Sequence, residues 1–429
     1  MSNIHNLLAQ SRLTESTVTA DNVDSRPDLL AFTRATTKLI YQDLVAIQPT
    51  TKPNVALFGV KYLNPNKDLT FVSGATYGGA HSAEDRKTYQ EISIANKDTF
   101  AKDAFFLYED VVFKVLADGA FAGTTETELF SIISEAITAG AIRMAPEAAE
   151  TAKFEGDEEI SEAGFQVNKW QANVRSRKFK TSLSVELAQD MQAAGFDAPE
   201  LLEDVLATQM AEEINKDVMQ SMITVSKRFK VAGVSDKGVL DLSDTTKSSV
   251  EMARTLYRYI CEMNAHLQRT TSYSATFVQA SSRVAALLTS SGWMEKKDDQ
   301  PYSAYGVLNN GLVLYCDNNS PMDYVVVGVK DEYGEKEMVG SLFYAPYIEG
   351  LSYEADTVDH IGAYKIITDP SSLQPKIALL VRYALCVNPY TVGLTDAEAR
   401  VIDTTNMDNF VGQSEMSVLL GVKLPPLVK

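Results

Sequence analysis

The residue types that ordinarily carry chemistry are few and scattered. Histidine occurs at His5, His81, His266 and His360. No His-Glu-x-x-His pair sets two imidazoles on one helical face for zinc. Cys261, Cys316 and Cys386 lie far apart in apolar stretches, without a Cys-x-x-Cys pair, which predicts buried thiols in a reducing compartment rather than a disulfide framework. Gly233 and Gly238 have the spacing of a phosphate loop, but Val239 stands where lysine must meet the phosphate, so they predict a turn. No Gly-x-Ser-x-Gly elbow is present. Trp170 and Trp293 predict packing. The carboxylates are many, yet nothing singles out two of them as an acid and a base. These observations predict a protein with no enzymatic activity, metal or cofactor.

The notable chemistry is electrostatic. Five carboxylates (Glu155, Asp157, Glu158, Glu159, Glu162) precede five cations (Lys169, Arg175, Arg177, Lys178, Lys180) with no acid among the cations. Phe179, Thr181, Leu183, Val185 and Leu187 then alternate at period two, which predicts a strand. The segment 155–187 thus predicts an extended hairpin with opposite charge on its successive parts. It suits an arm laid on a neighbouring subunit, each block meeting its complement, and equally a solvated, charge-balanced surface hairpin.

The elements that must position this segment follow from periodicity. Asp197 and Pro199 predict a helix start, and Leu202, Leu206, Met210, Ile214, Val218 and Met222 recur every four residues to about Lys227. A step of four overshoots a turn by about 40°, so the stripe winds and the helix reads as a spine for other elements. Thr125 and Glu128 predict a capped helix over 124–143. Glycines and short β-type runs over 54–117 predict a small β-rich unit. After Gly238 an α/β region follows, with a helix through Val250–Leu267 and strands at Ala275–Gln279, Leu312–Cys316, Tyr324–Val329 and Met338–Phe343. Apolar runs at Ile377–Val387 and Val418–Leu424 close the chain.

The 429 residues predict two to four domains. The formal charge of −18 and a hydrophobic content of 45% exclude a chain disordered throughout and most nucleic-acid-binding classes. The apolar runs are shorter than the roughly 20 residues of a spanning helix, and residues 1–20 are mostly polar, so no secretion signal or membrane span is expected.

Several runs resemble a known family. Ser176-Arg177-Lys178-Phe179-Lys180-Thr181, Val185-Glu186-Leu187-Ala188-Gln189-Asp190 and Glu212-Glu213-Ile214-Asn215-Lys216-Asp217 are similar to the major capsid proteins of T-even-type tailed bacteriophages. Arg34-Ala35-Thr36-Thr37-Lys38-Leu39-Ile40-Tyr41, Leu379-Leu380-Val381-Arg382-Tyr383-Ala384-Leu385 and Ser417-Val418-Leu419-Leu420-Gly421-Val422-Lys423-Leu424-Pro425 resemble the vertex, pentamer-forming members of that group. The resemblance implies an α+β chain of the Hong Kong phage capsid fold. It implies a propeptide over 1–15, an N-terminal arm over 16–53, an inserted β-rich domain over 54–123 and the start of a peripheral domain over 124–154. An extended loop over 155–187, the peripheral domain with its spine over 188–232, an axial domain over 233–345 and a C-terminal peripheral part over 346–429 complete it.

It further implies trimming by a prohead protease that cuts after Glu in a Leu/Ile-x-Glu pattern. Leu13-Thr14-Glu15 fits, with cleavage before Ser16. Ile133-Ser134-Glu135 and Ile260-Cys261-Glu262 fit too, but both read as helix, where a protease cannot extend the backbone. Expected partners are further copies in a homopentamer, the hexamer-forming major capsid protein, the protease and a scaffold, around double-stranded DNA bound without specificity. The expected location is the virion, with assembly in the host cytoplasm. The cations Arg175, Arg177, Lys178 and Lys180 are expected to meet Glu203, Asp204, Glu212 or Glu213 of a neighbouring spine. Two alternatives stay open: a hexamer-forming shell subunit, and a carbohydrate-binding protein using Tyr62, Phe71, Tyr77 and Tyr89 of the inserted domain.

Overall fold

The spine forms where its spacing demands, as a 28-residue helix over Ala198–Val225, about 42 Å long at 1.5 Å per residue. It belongs to a computed structural model that describes residues 40–63, 80–81, 88–109, 111–122, 128–145, 147–148, 151, 155, 162–193, 198–244, 246–295, 304–333, 337–347, 363–368, 375–388 and 401–426. The expectations at Leu13-Thr14-Glu15-Ser16, Phe71, Tyr77, Thr125 and Asp197, and the side chains of Leu202, Glu203 and Asp204, lie outside the described residues.

In chain order, helix α1 (Tyr41–Leu44) and strands β1 (Ala46–Ile47) and β2 (Asn54–Leu63) come first. Strands β3 (Gln90–Glu91), β4 (Phe105–Tyr108) and β5 (Val111–Val115), helix α2 (Leu129–Thr138) and β6 (Ile142–Met144) follow. Then come β7 (Gly164–Asn173), β8 (Arg175–Ser182), α3 (Val185–Ala193), the spine α4 (Ala198–Val225), β9 (Ser226–Arg228) and β10 (Val239–Asp241). Helix α5 (Ser249–Thr271), β11 (Phe277–Ser281), α6 (Ser282–Thr289), β12 (Met294–Glu295), β13 (Gly306–Leu308), β14 (Val313–Asp317) and β15 (Tyr324–Gly328) continue. The last strands are β16 (Lys330–Tyr333), β17 (Glu337–Gly340), β18 (Leu342–Pro346), β19 (Ala363–Thr368), β20 (Pro375–Val387), β21 (Val401–Asp403) and β22 (Ser414–Lys423).

The chain divides into two compact units, and strands β2 and β7 pass from one to the other within their own length. The larger comprises residues 1–57, 169–267 and 273–429. It holds a five-stranded sheet of order β1-β18-β20-β19 with β8 added on β20, and an eight-stranded sheet of order β10-β22-β15-β11-β14-β13-β12 with β9 on β22. The spine buries Leu206, Met210, Ile214, Val218 and Met222, the stripe read from the sequence. They pack with Trp170, Tyr41, Tyr344, Val381 and Tyr383. Helix α5 begins at a capping box: the Ser248 hydroxyl accepts the Glu251 N–H at 3.2 Å and the Glu251 carboxylate accepts the Ser248 N–H at 3.3 Å. Its residues Leu256, Ile260, Met263 and Leu267 cover the eight-stranded sheet.

The smaller unit comprises residues 58–168 and 268–272. Its four-stranded sheet, of order β3-β4-β5-β6, buries Phe106, Phe113, Val115 and Ile142 against Phe121 and against Ile132, Ile133 and Ala136 of α2. The helix expected to start a peripheral domain therefore completes this unit's core, which runs past residue 123. Gly140, at φ +70°, ends α2: its N–H and that of Ala141 reach the carbonyls of Ile137 at 3.0 Å and Ala136 at 2.9 Å, a left-handed cap that glycine adopts without strain.

Three further expectations differ from the fold. The segment 155–187 is not a hairpin of paired arms among the described residues: β7 joins β2 and β21, while β8 joins β20. Their junction at Val174 is where the chain changes sheet. The predicted strand stops at Ser182, because the Ser184 hydroxyl accepts the Leu187 N–H at 3.2 Å and starts α3, leaving Val185 and Leu187 exposed. Finally, β22 lies between β10 and β15 in the eight-stranded sheet, so the closing run belongs with the region assigned to 233–345. Residues on both its faces are buried, which erases the alternation that marks a half-exposed strand.

Ile214→Ala should cost about 2–5 kcal/mol, because a buried branched side chain leaves a cavity in the spine core. Leu187→Ala, at an exposed helical position, should cost less than about 0.5 kcal/mol. Urea denaturation midpoints of the two variants distinguish them.

Candidate assembly surface

Strand β8 alternates from Ser176 to Ser182. Arg177, Phe179 and Thr181 are half-buried, and Ser176, Lys178, Lys180 and Ser182 are exposed. Its antiparallel register on β20 sets Arg177 beside Val381, Phe179 beside Leu379 and Thr181 beside Ile377. These residues look toward the spine, and the even-numbered residues of both strands look away from it.

On the spine side Arg177 is held by three groups. Its Nε donates to the Tyr383 hydroxyl at 2.6 Å. Its Nη1 lies 3.3 Å from Glu213 Oε2 and its Nη2 2.9 Å from Asp217 Oδ2. Tyr383 in turn donates to Asp217. Glu213 and Asp217 stand one turn apart on α4, so their carboxylates share a face. Burial works against the Arg177 charge, but the hydrogen bonds to Tyr383 and Asp217 outweigh it and hold the guanidinium protonated. Burial, then the adjacent Asp217 charge, push the Tyr383 phenol well above the ordinary tyrosine range. The Tyr383 ring packs on Tyr344 at 5.2 Å, and Tyr344 on Tyr41 at 4.9 Å. The backbone N–H of Tyr41 donates to the Asn215 side chain of the spine at 3.1 Å. Strand, sheet and N-terminal helix are thus tied to one stretch of α4.

The expected contact of four cations with a neighbouring spine changes accordingly. Arg177 and Glu213 meet inside one chain. Glu212 lies 3.3 Å from Lys216, which also reaches Glu213 at 3.3 Å. Arg175 donates to the Thr405 carbonyl at 2.7 Å. Lys178 and Lys180 have no hydrogen-bond or ion-pair partner among the described residues. Sequence reasoning missed Asp217 and Tyr383, although Asp217 follows Glu213 by one helical turn and Tyr383 follows Val381 in the phase of a strand.

The other candidate chemistries find little support among the described residues. No group of three or more His, Cys, Asp or Glu is arranged to hold a metal, and no helix is long and apolar enough to cross a membrane. Gly233 and Gly238, at φ +88° and +75°, form the expected turn. Of the aromatics proposed for sugar, Tyr62 is exposed, while Tyr89 packs on Phe105 at 5.5 Å and shares a 2.8 Å hydrogen bond with His81. The three cysteines are free, and Cys386 is buried. Burial pushes its thiol up to about 12, opposed by a hydrogen bond from Thr404 at 3.0 Å.

Together these features define a class: an α+β subunit organised on a spine helix, whose polar groups fasten strands to that helix. The family described as Major capsid protein Gp23 matches residues 22–422, and the chain belongs to it. The Capsid vertex protein of Enterobacteria phage T4 is 54% identical over 421 residues, covering 97% of this chain and 98% of that one. The Capsid vertex protein of Escherichia phage AR1 is likewise 54% identical over 421 residues, with the same coverage of 97% and 98%. The Major capsid protein of Enterobacteria phage T4 is 25% identical over 422 residues, covering 86% of this chain and 76% of that one. Among solved structures, the mature capsid of bacteriophage PhiM1 covers 96% of this chain and 93% of its own, at 10% identity and a TM-score of 0.41.

Arg177 is 34% exposed, and its partners Glu213 and Asp217 are 36% and 33% exposed, so solvent screens the pairs. Arg177→Ala is expected to lower stability by about 1–3 kcal/mol, and Arg177→Lys to recover only part of it, since lysine cannot reach three acceptors at once. Paired urea titrations test this. Cys386 carries a pH signature. Its unfolded thiol releases a proton near 9.0, while the folded one holds it to about 12. The contribution is therefore complete below about 9 and is lost as pH rises toward 12. Iodoacetamide labelling at pH 8.5, read by mass spectrometry, should modify Cys386 at least about 100-fold faster in urea than in the native chain.

Proposed function

We propose that this chain is a structural subunit of a tailed-phage head that forms pentamers at the icosahedral vertices. The observation that carries the proposal is 54% identity to capsid vertex proteins over nearly the full length of both chains, against 25% to a major capsid protein. That difference favours the vertex position over a hexamer-forming one. Five copies close a ring through one repeated heterologous contact, and the ring sits among hexamers of the related major capsid protein. No catalytic step is needed; the function is shape, register and closure. The net charge of −18 suits a shell around DNA, because its wall does not trap the genome electrostatically.

Maturation belongs to the same proposal. A prohead protease trims the chain after Glu15, recognising Leu13-Thr14-Glu15 and leaving Ser16 as the new N-terminus. The competing pattern at Ile133-Ser134-Glu135 lies within α2, and that at Ile260-Cys261-Glu262 within α5; both are closed to a protease that needs extended backbone. Assembly around a scaffold takes place in the host cytoplasm, and the product is part of the virion.

A cryo-electron reconstruction of heads containing this chain should show its density at the fivefold vertices only; density in the hexamers would overturn the vertex assignment. N-terminal sequencing of the subunit from mature heads should begin at Ser16, and a chain beginning at Met1 would remove the trimming step.

A further inference from the structure

The five-stranded sheet differs sharply in charge from the chain around it. Its five strands carry seven Lys and Arg residues and no Asp or Glu, in a protein with 57 acids and 39 Lys and Arg. Arg177 among these cations pairs with the described spine carboxylates Glu213 and Asp217. On the face turned away from the spine, Lys178 stands beside Leu380, Lys180 beside Ala378, Ser176 beside Arg382 and Ser182 beside Lys376. Lys178 and Lys180 are exposed, and Arg382 lies over the Tyr347 ring at 4.2 Å. Residues two apart on a strand are about 7 Å apart and neighbouring strands about 4.8 Å, so these four cations fall within one patch, with Ala378 and Leu380 at its centre. Among the described strands, β8 pairs only with β20.

We infer that this basic face is the docking surface for the acidic run Glu155-Gly156-Asp157-Glu158-Glu159-Ile160-Ser161-Glu162 of a second copy of this chain. Charge complementarity selects that occupant. The run holds five carboxylates in eight residues and no cation, the densest acidic stretch of the sequence, and its described members Glu155 and Glu162 are exposed. Each copy brings one acidic run and one basic face, the one-to-one supply that a ring contact requires. Ile160 is the apolar residue in the run that can meet Ala378 and Leu380. Nucleic acid is the weaker occupant, because a chain of net charge −18 repels a polyanion beyond the patch. The spine of a second copy is weaker too, since Glu213 and Glu212 already have cations within their own chain. The inference rests on the shell-subunit reading and names the contact within it.

Charge exchange in the full-length chain tests the contact. K178E/K180E should lower the yield of assembled rings or shells at least tenfold, measured by sedimentation and electron microscopy. Adding E158K/E159K should restore most of that yield. Lysines that only guard a sheet edge are replaced in K178E/K180E by an edge that is still charged, so normal assembly of that variant would overturn the proposal. Rescue by E212K instead of E158K/E159K would assign the face to a spine and overturn it. So would binding of random-sequence double-stranded DNA that K178E/K180E abolishes. If the reversed variant fails to fold, the wild-type chain still decides. Assembled from a mixture of 14N and 15N copies and treated with a carbodiimide, it should yield mixed-isotope peptides joining Lys178 or Lys180 to the run 155–162. Joined peptides of one isotope only would place the contact within a single chain and overturn the proposal. A wild-type chain that never self-associates overturns both the shell reading and this contact, whereas one that assembles without charge-swap rescue overturns the contact alone.

Discussion

The winding of one apolar stripe governs this protein. A helix of 28 residues whose buried positions recur every four residues turns its apolar side steadily around its axis. No single flat layer can cover such a stripe. Along α4, Met210, Ile214, Met222 and Val225 lie in one core that takes in Val381 and Tyr383 of the five-stranded sheet as well as Phe277, Val326 and Leu419 of the eight-stranded sheet. Two sheets are therefore required, and the chain must travel back and forth to supply them. The long connections of this fold, with β1 beside β18 and β9 beside β22, follow from that demand.

The second organising principle is how one strand divides its charges. The pleat of β8 sends Arg177 to Glu213, Asp217 and Tyr383, while Lys178 and Lys180 point the other way. A run of like charge in the sequence thus becomes two surfaces with different tasks. Inward, a guanidinium with its fork of donors satisfies a phenol and two carboxylates at the border of the core. Outward, the ammonium groups of Lys178 and Lys180 stand exposed. A block of cations counted along the chain cannot reveal this division; the period of two does.

Local signals made much of the fold legible and long-range pairing hid the rest. The spine, helix α5, the Gly233–Gly238 turn and the strands at 105–108, 324–328 and 375–387 all announce themselves within a window of a dozen residues. The joining of β8 to β20, the insertion of β22 between β10 and β15, and the packing of α2 into the smaller unit depend on residues far away in sequence. Helix α3 was masked by coincidence: Leu183, Val185 and Leu187 continue the alternation of β8, although the cap at Ser184 ends the strand. The candidate surface was legible as charge and illegible as partnership. Arg177 and Glu213 were both conspicuous, but only the register of β8 on β20 places them within one chain.

The position of β22 sets an order on the birth of the subunit. Residues 414–423 occupy the interior of a sheet whose neighbouring strands come from residues 239–241 and 324–328. While the ribosome is still making the middle of the chain, that slot is empty and the flanking strands expose unpaired backbone and apolar faces. The sheet closes only when this late segment arrives. A polypeptide released early therefore cannot present a finished domain, and the fold itself screens incomplete products.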